Sequence, residues 1–283
     1  MSRRIPACFD AAEKAGRKVF IPFITAGDPD PGWTVAIMHA LVAAGANLLE
    51  LGVPFSDPAA DGPVIQAASE RAIEKHVDLG KVLEMVAAFR RKDKHTPVVL
   101  MGYMNPLERY GRLQFPVAAK KAGVDGLLLV DCPPEERGVL GEAMMDAGIS
   151  GICLVTPTSS RARVRSIAAV ASGFIYYVSL KGVTGSGHLR VSELSRPVQQ
   201  IREFSDLPVA VGFGIKNAKM AAAVAAHADA VVIGSALVKV LSEAESEEDA
   251  CAIAEAFVAP VRKALDNMAL NNAAPRKQDV ELI

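Results

Sequence analysis

The chain has 283 residues, 51% of them hydrophobic, and its 31 basic and 32 acidic side chains leave a net charge of -1. That length and balance fit one folded α/β domain with a large core and little disorder. The charges are well mixed, and no basic stripe interleaves with aromatics, which argues against a nucleic-acid surface.

The amino terminus is basic but has no apolar stretch of the kind a secretory signal carries. Cys8, Cys132, Cys153 and Cys251 are far apart in sequence and form no paired metal-ligand or redox motif. Cys132 and Cys153 lie in or beside apolar runs and read as buried thiols, and a reducing, cytoplasmic setting fits. The softest run, 220–241, is interrupted by His227, Asp229, Gly234 and Ser235, too polar a set for a membrane span. A membrane role is not expected.

In chain order, eight short apolar runs predict strands at 19–25, 47–52, 97–101, 126–130, 151–155, 174–179, 208–212 and 230–233. They are continuously apolar rather than alternating, as parallel strands covered on both faces are. Helix-patterned stretches separate them. Gly45, Gly123 and Gly148 stand where helices end, because glycine enters the left-handed conformation without steric cost. Helix starts are marked by Asp30 before Pro31, by 133–136, by 158–160 and by Ser192 with Glu193.

Eight strand–helix repeats in one domain predict a (β/α)8 TIM barrel, with an extra amino-terminal helix and an inserted helix near 79–90. An open doubly wound sheet is the rival, but no GxGxxG turn follows the first strand. The barrel domain is expected over 1–267, with a polar tail at 268–283.

Barrel enzymes carry their chemistry on the loops after the strands. Glu50 lies on the second strand between Leu49 and Leu51. Period-two geometry puts it on the opposite face, with Leu48, and so into the barrel mouth if the two leucines pack outward on the helices. Such a carboxyl has its pKa raised by burial. Its alternative is an ion pair inside the barrel; its place at a strand end favours function. Asp57 and Asp61 follow on the next loop, where each has a capping alternative.

Gly185, Gly212, Gly214 and Gly234 allow backbone N–H groups to approach an anion, and Ser235 opens a short helix after the last strand. Loops seven and eight are where many barrels bind phosphate. Lys181, near the end of strand six, has the placement of a Schiff-base lysine; a solvated loop charge is its alternative. His39, His76, His95, His188 and His227 show no metal-ligand spacing, and no metal site is expected.

Several motifs together resemble one family, the tryptophan synthase alpha subunit. They are FIPFITAGDP at 20–29, LELGVPFSDPAADGPVIQ at 49–66, YMNP at 103–106, GVTG at 182–185 and GFGI at 212–215. They run in order within about residues 5–265. The resemblance implies retro-aldol cleavage of indole-3-glycerol phosphate to indole and glyceraldehyde 3-phosphate. It puts Glu50 and Asp61 on the two catalytic acids, and Gly185, Gly214, Gly234 and Ser235 on the phosphate site. Phe23, Met101, Tyr103, Tyr176, Thr184 and Phe213 fall on or beside the indole pocket.

The resemblance further implies no cofactor in this chain. It implies a partner, the beta subunit that holds pyridoxal phosphate, in an alpha2-beta2 heterotetramer. Where some relatives carry arginine just before GVTG, this chain has Ser179-Leu180-Lys181. Loops two and six are expected to act as lids and as the docking face for the partner.

Overall fold

Eight parallel strands close on themselves in chain order, each hydrogen-bonded to its sequence neighbours and the last to the first. They are β1 (Val19–Thr25), β2 (Leu49–Gly52), β3 (Val98–Gly102), β4 (Gly126–Leu129), β5 (Ser150–Val155), β6 (Ile175–Val178), β7 (Val209–Gly212) and β8 (Ala230–Ile233). The computed structural model describes residues 3–178, 191–212 and 214–273.

Helices fill the connections: α1 (Arg4–Lys14), α2 (Thr34–Ala43), α3 (Pro63–Glu74), α4 (Leu79–Phe89), α5 (Met104–Tyr110) and α6 (Gln114–Ala122) in the first half. Then come α7 (Gly138–Ala147), α8 (Arg161–Val170), α9 (Ser195–Arg202), α10 (Ala218–Ala225), α11 (Ser235–Leu241) and α12 (Glu247–Ala273). The expected (β/α)8 barrel, with an extra helix before β1 and inserted helices, is what the chain forms.

Two apolar layers follow from the alternation of side chains along each strand. Phe20 and Ile24 of β1, Leu49 and Leu51 of β2 and Leu100 of β3 point outward into a shell with Leu41, Val82 and Phe89 of the helices. Val19, Ile21, Leu48, Val99, Leu128, Ile152, Phe174 and Val232 fill the barrel. The amino-terminal end is plugged by α1, whose Ile5 and Phe9 join the interior; the Phe9 and Phe174 rings lie 5.8 Å apart.

Beside that plug, fully buried Asp125 accepts from Arg4 Nη1 at 2.9 Å, from Arg90 Nη2 at 2.7 Å and from the Val98 amide at 2.9 Å. A buried charge kept this way is satisfied rather than stranded.

Several boundaries differ from the sequence reading. The helix expected from Asp30 begins at Thr34, because Asp30 first makes a turn, accepting the Gly32 amide on its side chain and the Trp33 amide on its carbonyl. Residues 134–136 and 191–193 are single 3-10 turns that precede α7 and α9. His227 lies in a turn just after α10, its Nδ1 2.8 Å from Ser195 Oγ. The last helix continues to Ala273, past the position where the tail was expected to begin; residues 274–283 lie outside the described ones.

Among the described residues no helix is long and apolar enough to cross a membrane. None of their His, Cys, Asp and Glu side chains form a group of three or more fit to hold a metal ion.

Candidate active site

Glu50 sits where the alternation of β2 put it. Leu49 and Leu51 pack outward while Leu48 packs inward, so the carboxyl enters the barrel. It pairs in register with Phe23 of β1 on one side and Val99 of β3 on the other. Glu50 is 2% exposed, and its Oε1 has no hydrogen-bond partner among the described residues. Burial, and secondarily the nearby charge of Asp61, push its pKa up to about 8. Both causes disfavour the anion, so this carboxyl carries its proton at neutral pH.

Asp61 is suspended from three directions. Its amide donates to Pro58 O at 2.9 Å, its carbonyl accepts from Gln66 Nε2 at 2.9 Å, and its Oδ2 accepts from the Tyr103 hydroxyl at 2.9 Å. The same phenolic oxygen accepts the Ala60 amide at 3.1 Å, and the Phe55 ring lies 5.2 Å from that of Tyr103. The capping alternative for Asp61 fails: α3 begins at Pro63 with Gly62 as its cap and without a side-chain capping bond. Burial raises the pKa of Asp61, and the Tyr103 hydrogen bond opposes that rise. Asp57, by contrast, is exposed and accepts from Ser56 Oγ at 2.6 Å, as a turn residue does.

Aromatic walls and missing side chains shape the mouth. Tyr176, buried on the inner face of β6, has its phenol held far above the ordinary range by burial and by the charges of Glu50 and Asp61. It therefore lies within the electrostatic reach of both acids. A Cβ on Gly212 would sit 2.2 Å from the Tyr176 hydroxyl, and one on Gly52 would sit 2.6 Å from the Phe23 ring. Glycine at these strand ends is thus required by close approach, not by backbone conformation.

Phe23 packs with Met101 of β3, Ile65 and Ala68 of α3, and Val238 of α11. Ile65, Ala68 and Val238 escaped the sequence reading. They lie on helices, where an apolar residue at helical spacing is indistinguishable from core.

Across the mouth, Gly234 caps α11 and Ser235 is its first, exposed residue. Gly214 has φ +78°, the left-handed region that favours glycine. Thr184, Gly185 and Phe213, with Lys181 and His188, lie outside the described residues. The expected site residues that are described thus share one end of the barrel: Phe23, Glu50, Met101 and Tyr176 on inner strand faces, and Asp61, Tyr103, Gly214, Gly234 and Ser235 after the strands. A neutral acid beside a second, hydrogen-bonded carboxylate is an arrangement that can move a proton while steadying positive charge.

Comparison with known proteins identifies the family. The family description "Tryptophan synthase alpha chain" matches residues 9–266. A tryptophan synthase alpha chain from Ralstonia nicotianae is 57% identical over 263 residues, 93% of this chain and 99% of the relative. One from Methylococcus capsulatus is 54% identical over 264 residues, with the same coverage. Among solved structures, tryptophan synthase subunit alpha from Legionella pneumophila superposes with a TM-score of 0.87 at 43% identity. That match covers 94% of this chain and 100% of the other.

Proposed function

The chain belongs to the tryptophan synthase alpha chain family, and we propose that Glu50 and Asp61 carry out its alpha reaction. That reaction, in tryptophan biosynthesis, is the retro-aldol cleavage of indole-3-glycerol phosphate to indole and glyceraldehyde 3-phosphate. The chain is accordingly a carbon–carbon lyase.

The observation that supports the role of Glu50 most strongly is its state: buried, without a partner on Oε1, and with a pKa near 8. A retro-aldol needs an electron sink for the bond that breaks. Protonating indole C3 makes the ring itself that sink, an indolenine whose C=N⁺ accepts the electron pair. Glu50 gives its proton to C3. As the bond between C3 and the side chain breaks, the hydroxyl on the released carbon becomes an aldehyde and gives its proton to the Glu50 carboxylate, while the proton first delivered stays on indole C3. The acid is regenerated and the proton count closes. A positioned acid–base group of this kind contributes about 10²–10⁴ in rate.

Asp61 has the complementary task. Ionised and fixed by Tyr103, it accepts the indole N–H as positive charge develops on the ring. Phe23, Met101, Tyr103 and Tyr176 border the indole, with Thr184 and Phe213 assigned beside them by the family pattern. Gly185, Gly214, Gly234 and Ser235 take the phosphate, where backbone N–H groups and a helix start favour an anion.

Because the ring is the electron sink, the reaction in this chain uses no cofactor. Family membership implies a beta subunit as partner. We place the pyridoxal phosphate in that subunit, the assembly as alpha2-beta2, and the enzyme in the cytoplasm. Indole is small and apolar, so direct transfer across the active face to the partner prevents its loss. Incubating the purified chain with indole-3-glycerol phosphate, with and without the beta subunit, tests the reading. Release of both products is expected, and their absence under both conditions refutes it.

A further inference from the structure

In the closed barrel β1 lies between β2, which carries Glu50, and β8, which leads into Gly234 and α11. Its inner face runs Val19, Ile21 and Phe23, while Phe20 and Ile24 point outward. By the same alternation, Thr25 points inward at the carboxyl end. Thr25 is 2% exposed, and its Oγ1 has no hydrogen-bond partner among the described residues. Opposite it in register on β2 stands Gly52, which has no side chain to offer.

An orphaned buried hydroxyl is uncommon and costly, and the backbone here cannot swing to relieve it. The Thr25 carbonyl accepts the Asp28 amide at 3.2 Å, and the Gly27 amide is taken by Thr34 Oγ1 at 3.0 Å. Arg71 of α3 then clamps buried Asp28 with two hydrogen bonds of 2.6 and 3.0 Å. The turn after Thr25 is fixed while its hydroxyl is left open.

We infer that Thr25 is a substrate-binding residue whose hydroxyl takes the second hydroxyl of the three-carbon chain of indole-3-glycerol phosphate. The inference rests on the function proposed above. It follows from matching two orders. Along the substrate come the carbon attached to the ring, a second hydroxyl-bearing carbon, and the phosphate-bearing end. Along the barrel rim come Glu50 on β2, Thr25 on β1, and Gly234 with Ser235 after β8. The threonine hydroxyl both donates and accepts, which suits an alcohol partner.

The test uses Thr25→Val, which keeps the shape and removes the polarity, with Thr25→Ala and Thr25→Ser beside it. Two ligands are compared: indole-3-glycerol phosphate and indole-3-propyl phosphate, which lacks both chain hydroxyls. Valine and alanine are expected to lower kcat/KM about tenfold or more, the scale of one lost hydrogen bond to the substrate, and serine to restore most of it. Affinity for the propyl analogue should stay within about twofold of wild type, since the analogue offers the hydroxyl no partner. An unchanged kcat/KM in the valine and alanine variants overturns the assignment. So does an equal loss of affinity for both ligands, which marks a packing role. Wild-type turnover measured in parallel separates the two levels: an inactive wild type refutes the proposed function, whereas an active wild type with unimpaired variants refutes only the role of Thr25.

Discussion

The Tyr103 hydroxyl donates to Asp61 Oδ2 at 2.9 Å, and among the described residues no other group bonds the oxygens of that carboxylate side chain. One oxygen is thus tied down, and in the proposed reaction the second accepts the indole N–H. Tyr103→Phe removes the tie but keeps the ring against Phe55. Because the hydrogen bond opposes the burial-driven rise in the Asp61 pKa, its loss moves that pKa up. Steady-state kinetics should show kcat lower by about tenfold, the scale of a hydrogen bond to a charged group. The acid limb of the pH profile should move to higher pH. An unchanged profile would mean that Tyr103 only lines the pocket.

Asp61→Asn keeps the size of the side chain but removes the charge proposed to steady the protonated ring. Turnover should fall on the order of 10²-fold, as when one preorganised transition-state contact is lost. The helix that follows is capped by Gly62, so thermal stability should change little. A reduced melting temperature with normal turnover would reverse that assignment.

Glu50 makes the stability of the barrel depend on pH in a defined direction. Its folded pKa, about 8, lies above the value of 4.5 for the unfolded chain, so between those limits the folded state binds more protons. Stability associated with the protonated form is fully present below 4.5 and is lost as pH rises through 8. Glu50→Gln removes this dependence. Denaturant unfolding should therefore show the variant gaining on wild type as pH is raised from 5 to 9, by an amount on the order of a few kcal/mol. A constant difference across that range would show that the carboxyl is not held protonated.

Gly212→Ala probes the shape of the pocket. The added carbon would meet the Tyr176 hydroxyl at 2.2 Å and the ring at 2.7 Å, so the tyrosine must shift. Overpacking of this kind costs about 1–3 kcal/mol. Since Tyr176 faces the acids, KM should rise and kcat should fall together. Kinetics like those of wild type would show that the ring moves aside freely.

Much of this arrangement could be read from β2 alone. The leucines on either side of Glu50 specify which way the carboxyl faces, because neighbouring strand residues point to opposite faces. The ends of β1 and β8 coincide with the expected runs, whereas the other six differ by a residue or more, because backbone pairing and not apolar character ends a strand: β3 runs on to Gly102 and β5 starts at Ser150. Asp61 is ambiguous in sequence for a physical reason: before Gly-Pro an aspartate suits both a cap and a pocket, and the difference lies in the Gly62 cap of α3 and in a bond from Tyr103, 42 positions away. The contributions of Ile65, Ala68 and Val238 were invisible for the opposite reason, because nothing local separates a pocket-lining helix residue from a core one. Thr25 went unnoticed because an unpaired hydroxyl is a property of its surroundings, not of its neighbours in sequence.

In the proposed reaction Glu50 delivers one proton to indole C3, where it stays, and takes another from the side-chain hydroxyl as cleavage occurs. Single-turnover release of indole from indole-3-glycerol phosphate by Glu50→Gln, at saturating enzyme and with binding of the propyl analogue confirmed, tests it most directly. A folded variant that binds normally and releases no measurable indole is expected. Release within about tenfold of wild type, well inside the 10²–10⁴ expected of such a group, would contradict it.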